Sequence, residues 1–499
     1  MLYTHRWDTM GKRMMKRYSL CAMVVCIALQ LLAVDARPAT ITIRPDDILK
    51  SDFGGFGFQM DYYYWTKRNR VRGVDETNFA NVIARRWKEL MPGFARVGLL
   101  VKDWEPTQGI KTWDSDGMIA LIKTLTLLKE TNTEVYLTTW QNGDNIPEWL
   151  GSGHTLTDPA MQQEFARTHV DLLEYLVRTK GFTNISCYCM ANELQTADGW
   201  GVLESQMDVF KAYHQKLFDE LQRRGLAGQI KLLATDQSSS SGYSTIDWAL
   251  SNMDAITGIY GGHHFTSSAP DTTDFYPESI LPQLKTYSGL AAGKGKNFII
   301  GEFGSNYNGG TWICPARNYA GYGLMLAEFA LAGLNSGTYA MSNWCFFDFY
   351  YCEGCLMQWG AFSDVESGFK IFPHYYAYGL MTRYFRPRST VVRSTSDSSL
   401  LRVAVVRRTE SGQYTLAIVN RKTADESVTI EGLPGRKTFD VYVYAASNPL
   451  AADGALPAAI RKVRMANQIL SDTVPANSLT VYNEADEKAP DDSDQDGEP

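Results

Sequence analysis

The sequence predicts an α/β protein: a (β/α)8 barrel of the TIM type followed by a C-terminal antiparallel β-sandwich domain. Three observations predict it. Short apolar runs alternate with segments of helical period from Phe53 to Tyr384. Eight such runs can be counted, most of them followed by a helix, which implies parallel pairing with right-handed crossovers. After Pro387 the pattern changes to two-residue alternation between polar or Gly/Pro turns.

Taken in order, Phe53 to Phe58 is a Gly-rich apolar strand leading into an aromatic loop, Asp61 to Trp65. A helix over Asn78–Leu90 precedes the second strand, Phe94–Leu100. Met118, Leu121, Ile122, Leu125 and Leu128 share one face of a helix that feeds the third strand, Glu134–Trp140. Asp158-Pro159 is a helix start, with Asp as cap and Pro in the first turn. The fourth strand is Ile185–Ala191 and the fifth Ile230–Thr235, with a helix over Leu203–Arg223 between them. Asp254–Tyr260 reads as the sixth, with Gly261-Gly262-His263-His264-Phe265 at its exit. Phe298–Gly301 and Thr338–Trp344 complete the eight, separated by a helix over Asn318–Leu334 and followed by one over His374–Tyr384. The barrel is assigned to residues 53–386, longer than the ~250 typical of the fold, so long loops are implied. An open doubly wound sheet has the same element count and stays as the alternative.

Residues 387–483 form the sandwich domain, from alternating segments at 400–407, 413–420, 426–431, 438–445 and 478–483. The segment 37–52 precedes the barrel, and its Thr-Ile-Thr-Ile run at 40–43 is expected to add a strand to the sandwich. Residues 484–499 are acidic and polar, an expected disordered tail. At the other end, Lys12, Arg13, Lys16 and Arg17 precede an apolar run, Leu20–Val34, that ends at Val34-Asp35-Ala36. Basic region, apolar run and small-residue site together read as a signal peptide over 1–36. The chain is therefore expected to be secreted, periplasmic or on the cell surface, with no membrane span after cleavage.

The formal net charge is −7 and becomes more negative once the basic leader is removed, which argues against nucleic acid as a partner. Cys352-Glu353-Gly354-Cys355 is a C-x-x-C, but no second such pair or ligand-spaced His pair accompanies it. Zinc is not expected on that pattern, nor is any other metal or organic cofactor. A disulfide from Cys314 to Cys352 or Cys355 is expected, and Cys187 and Cys189 alternate as small core residues. A monomer is expected.

Two strands end in a carboxylate. Ile185–Glu193 reads I-S-C-Y-C-M-A-N-E, and Asn297–Asn306 reads N-F-I-I-G-E-F-G-S-N. In a (β/α)8 barrel the site lies at the C-terminal strand ends, so Glu193 and Glu302 are placed at one rim, on roughly opposite sides of the ring. Two carboxyl groups facing across a pocket suit glycosidic bond hydrolysis, one giving a proton and the other attacking or activating water. Trp140 and Trp344, at the exits of the third and eighth strands, suit flat platforms for sugar rings as well as they suit a core.

Here the residues reach a resemblance. Asn192-Glu193 and Gly301-Glu302-Phe303-Gly304 resemble the catalytic signatures of the clan A retaining glycoside hydrolases. The G-E-F-G form is most similar to family 5, the cellulase-like group. The added β-sandwich and N-terminal strand are more similar to families 30 and 39. The resemblance implies Glu193 as general acid/base, Glu302 as nucleophile and Asn192 on the substrate 2-hydroxyl. It implies Arg96 beneath the nucleophile and Trp344 as the stacking tryptophan after strand eight. At the sixth strand His263 or His264 matches the family's aromatic-rich exit, with Tyr260 a competing match. Leu194 stands where the family commonly has Pro after the Asn-Glu pair, a departure at a position that takes no part in the chemistry. The implied activity is cleavage of a β-linked polysaccharide or oligosaccharide by double displacement, with an endo-β-glucanase favoured. An exo-acting β-glycosidase and a catalytically inactive carbohydrate-binding protein are the alternatives.

Overall fold

The computed structural model describes residues 37–140, 146–150, 157–194, 206–238, 242–445, 447 and 451–485. The proposed leader and nearly all of the acidic tail lie outside the described residues. The first strand, β1 (Ala39–Phe53), leads directly into the barrel. The barrel strands are β2 (Gly55–Gln59), β3 (Phe94–Leu99), β4 (Glu134–Thr139), β5 (Ile185–Cys189), β6 (Lys231–Gln237), β7 (Ile259–Thr266), β8 (Asn297–Ser305) and β9 (Ala340–Asn343). Each pairs in parallel with the next, and β2 pairs with β9 from Gly55 and Ala340 onward, so the ring is closed and the open-sheet alternative is excluded.

The barrel interior is filled by Phe94, Tyr136, Cys187, Cys189, Leu233, Ile259, Ile299 and Ala340. The two cysteines of β5 are thus core residues. Outside, the helices lay apolar faces against the strands. The helix Asp116–Glu130 is capped by Ser115, whose hydroxyl accepts from the Met118 amide at 3.1 Å, and buries Met118, Leu121, Leu125 and Leu128. Truncating a leucine such as Leu125 to Ala would cost about 2–5 kcal/mol. Asp158 caps the helix Pro159–Glu174, accepting from the Ala160 amide at 2.9 Å, with Pro159 in its first turn.

The sixth barrel strand departs from expectation. It runs over Ile259–Thr266, and Asp254–Ile256 forms a single 3-10 turn. Gly261-Gly262 looks like a strand breaker, yet both residues lie within β7. A Cβ on Gly261 would stand 2.8 Å from side chains of Ile299 and Leu233, and one on Gly262 would stand 2.8 Å from Tyr243. These glycines allow close approach of neighbouring elements and do not end the strand.

Beyond the barrel, β10 (Phe349–Cys352) and β11 (Cys355–Met357) form a hairpin closed by a Cys352–Cys355 disulfide. Cys314 is buried and free, its thiol donating to the Ser305 carbonyl, so the expected bridge from Cys314 does not form. The second unit contains β12 (Ser389–Ser396), β13 (Leu401–Arg408), β14 (Tyr414–Asn420), β15 (Glu426–Glu431), β16 (Thr438–Ala445), β17 (Arg461–Arg464), β18 (Leu470–Val474) and β19 (Ser478–Glu484). The expected antiparallel β domain is a nine-stranded, mostly antiparallel sheet, in the order β17-β16-β19-β14-β13-β12-β1-β15-β18. The N-terminal segment makes it continuous: β1 pairs antiparallel with β12 and parallel with β15. The sheet curls around its own apolar core, and its edge strands meet where Arg461 pairs with Asp472 at 2.6 Å.

The sheet is fixed to the barrel through the helix Ala320–Ser336. Buried Glu328 on that helix accepts from Arg421 at 2.9 Å, and Asn335 donates to the Val403 carbonyl at 2.8 Å. Among the described residues no helix is long and apolar enough to cross a membrane.

Candidate active site

The C-terminal ends of β3, β5, β6, β7 and β8 bring five charged or titratable side chains together. Arg96, the third residue of β3, is wholly buried. Its guanidinium acts as a fork. Nη1 donates to Gln59 Oε1 at 3.0 Å and to Glu302, while Nη2 donates to Asn192 Oδ1 at 2.5 Å and to Asp236 Oδ2 at 2.6 Å. A planar, permanently charged group suits such multiple recognition better than an ammonium would. Glu193 lies just beyond β5, with its amide donating to the Asp236 carbonyl at 3.1 Å. Both Glu193 (φ 41°) and Asp236 (φ 59°) occupy the left-handed region, a backbone cost of order 1–3 kcal/mol each that tends to be kept at functional sites.

His263 sits directly across from Glu302 in the β7–β8 register. Its Nδ1 lies 2.8 Å from Glu193 Oε1 and 3.5 Å from Glu302 Oε2, and its Nε2 lies 3.1 Å from Asp236 Oδ1. Burial favours the neutral ring, but Glu302, Asp236 and Glu193 outweigh it and raise the imidazole to about 10. For Asp236 burial is again the opposing effect, overcome by Arg96 and His263, which hold its carboxyl well below the usual range. Burial pushes the Glu302 carboxyl up to about 7 against the pull of His263 and Arg96, with Glu193 adding to the rise.

One ligand-capable atom each from Glu193, His263 and Glu302 falls within 4.8 Å of the others. That bounds the closest approach of the two catalytic-candidate carboxyl groups. Arg96 already supplies a fixed cation to Asp236 and Glu302, which opposes a metal ion in the same cluster.

The sequence-predicted residues divide as follows. Glu193, Glu302, Asn192, Trp140 and Trp344 line one large cleft of about 1520 Å³, with Arg96 and His263 beneath them. Trp140 and Trp344 meet edge to face, centroids 6.0 Å apart, and the Trp140 ring lies 5.5 Å from the Arg96 guanidinium. His264 does not belong to the site. Strand alternation turns it outward, against Gln283, Phe275 and Phe329, where burial lowers it to about 4. Tyr260 does not belong either. It stands near the start of β7, at the far end from the carboxylates, with its hydroxyl donating to Asp254 at 2.9 Å.

Asp236, Gln59 and Asp61 escaped the sequence reading. Asp236 was hidden because Thr235-Asp236-Gln237 runs into a serine-rich stretch and reads as a polar loop, whereas β6 continues through Gln237. Buried Asp61 accepts from Tyr351 at 2.6 Å, Gln59 at 2.7 Å and the Gly98 amide at 3.2 Å, which ties the β10–β11 hairpin to the Arg96 fork. The available signal was the strand-end position of these polar residues.

No family model matches the sequence, and no curated protein matches it. Solved structures do match. The catalytic domain of the GH30 xylanase C from Talaromyces cellulolyticus aligns with a TM-score of 0.65 at 13% identity, over 89% of this chain and 100% of that one. AbfB, a family 51 α-L-arabinofuranosidase from Bifidobacterium longum, aligns with a TM-score of 0.65 at 14% identity, over 90% and 100%. An endo-β1,6-glucanase aligns with a TM-score of 0.63 at 15% identity, over 90% and 96%. This chain has the fold of those proteins, a closed (β/α)8 barrel with a β domain. The families named are 30 and 51, so the expected likeness to family 5 finds no support in them, and the likeness to family 30 is one of fold.

Proposed function

We propose that the protein is a retaining glycoside hydrolase acting on a β-linked polysaccharide or oligosaccharide. The observation that carries the reading is the approach of Glu193 and Glu302 to within 4.8 Å at the barrel's C-terminal rim. Retaining enzymes hold their carboxyl groups ~5–5.5 Å apart, and inverting ones leave ~6.5–9.5 Å for a water. In the first step a Glu302 oxygen bonds to the anomeric carbon. The glycosidic C–O bond breaks towards the leaving oxygen, which takes the Glu193 proton. In the second step Glu193 deprotonates a water, which displaces Glu302. Arg96 stabilises ionised Glu302, and Asn192, held by Arg96 at 2.5 Å, is placed to meet the 2-hydroxyl.

Endo action is part of the same proposal. The cleft exceeds the ~300–1,000 Å³ of small-molecule pockets, and Trp312 stands 45% exposed at its wall. Such a wall suits sugar units beyond the scissile bond. We further propose export, on the basic-then-apolar N-terminus and a disulfide that suits an oxidising compartment. The test is hydrolysis of β-glucans, mannan, xylan and aryl β-glycosides by the wild type and by Glu302→Ala. Loss of cleavage in the variant supports the assignment, and equal cleavage by both refutes it.

A further inference from the structure

Three carboxyl groups, a guanidinium and an imidazole share the floor of the site, and their arrangement goes beyond the roles of nucleophile and acid/base. Asp236 sits behind Arg96 and His263, with one oxygen 2.6 Å from Arg96 and the other 3.1 Å from His263 Nε2. His263 turns its other nitrogen between Glu193 and Glu302. We propose that Asp236 is a positioning residue that keeps His263 as an imidazolium, and that this one cation changes partner between Glu302 and Glu193 as negative charge moves from one to the other. The proposal rests on the hydrolase reading above.

The charge count supports it. Before glycosyl transfer Asp236 and Glu302 are anionic, Arg96 and His263 cationic, and Glu193 carries its proton, so the buried set is neutral. After transfer Glu302 is an uncharged ester and Glu193 has become the anion, while Asp236, Arg96 and His263 are unchanged. The set is neutral again. The 2.8 Å and 3.5 Å separations from Nδ1 let one ring serve both states without movement of its backbone. A neutral imidazole would leave the buried set one negative charge in excess at both stages, which a low-dielectric site penalises.

The groups facing His263 are Asp236 from β6, Glu193 from the β5 exit and Glu302 from β8, with Arg96 from β3 alongside. The Tyr243 hydroxyl donates to the His263 carbonyl at 2.6 Å. The β8 side is kept open by Gly301, where a Cβ would stand 3.3 Å from both His263 Nε2 and Arg96 Nε.

The test uses the full chain with ring-15N histidine. In the wild type, one of the seven histidines should show both ring nitrogens protonated at pH about 8.5, far above the ordinary ~6.5. That signal should vanish in His263→Gln and should titrate at lower pH in Asp236→Asn, where Glu302 and Glu193 alone support the charge. With a dinitrophenyl β-glycoside, Asp236→Asn should lose about 100-fold in kcat, with KM within about threefold. Its remaining activity should fall as pH rises through the histidine titration seen in that variant, a change that mere loosening of the fold would not produce. An active wild type without the imidazolium overturns the partner-switching role alone. So does an Asp236→Asn variant with the wild-type pH profile at reduced height. An imidazolium in a chain that cleaves no glycoside overturns the hydrolase reading and the switching role with it.

Discussion

A Cβ on Gly301 would stand 2.8 Å from Oδ1 of Asp236, so the residue before Glu302 is glycine because the floor of the site closes against it. Gly301→Ala is expected to lose about 100-fold or more in kcat, since small displacements of reacting groups are that costly. It should also cost about 1–3 kcal/mol by overpacking. Urea denaturation and steady-state kinetics on one preparation check both. An Ala variant with wild-type kcat would show that the floor is not as tight as described.

Arg96→Lys is expected to behave as a severe substitution. One ammonium cannot reach Gln59, Asn192, Asp236 and Glu302 together, as the fork does. Loss of about 10²–10³ in kcat is expected. Arg96→Met, which leaves buried carboxylates unpaired, should destabilise the chain by about 3–5 kcal/mol.

The acid limb of kcat/KM should lie near neutrality. Glu302 must be ionised to attack, and its carboxyl is raised to about 7, chiefly by burial. Activity is therefore present above that value and lost as pH falls through it. Glu193 is neutral as the proton donor while Glu302 ionises, so the acid limb should persist in Glu193→Gln, whose side chain is also neutral. A dinitrophenyl glycoside, which needs no proton donor in the first step, allows the measurement in that variant.

Stability should weaken on the alkaline side. The folded-state imidazole of His263 is raised to about 10 from 6.5. Its contribution is fully present below the unfolded value and lost as pH rises through the folded one. Melting temperatures between pH 6 and about 10 should fall more steeply in the wild type than in His263→Gln. Parallel curves would contradict the assignment.

Much of this fold was legible because its signals are local. Strands such as Phe94–Leu99 and Asn297–Ser305 are short apolar runs, and Asp158-Pro159 and Ser115 mark helix starts by chemistry that acts within one turn. The same locality explains the misses. Gly261 and Gly262 look like breakers until Ile299, Leu233 and Tyr243, which demand their small size, are seen beside them. Cys352 closes on Cys355 three residues away because a hairpin brings them together, and a pairing of Cys314 across long loops was equally compatible with the sequence. Whether His263 or His264 faces inward depends on where β7 begins, and a strand's two faces exchange with a one-residue shift. Asp236 was marked only by its place near a strand end; its meaning lies in Arg96 and His263, distant in sequence.

The proposed function stands or falls with Glu302 as the nucleophile of a double displacement. The most direct measurement is peptide mass mapping after inactivation by the 2-deoxy-2-fluoro form of whichever aryl β-glycoside the wild type cleaves. A fluoroglycosyl group on the peptide carrying Glu302, absent from Glu302→Ala, is the predicted result. Cleavage of the parent glycoside with the label on another residue, or with inverted anomeric configuration in the first product, would contradict it.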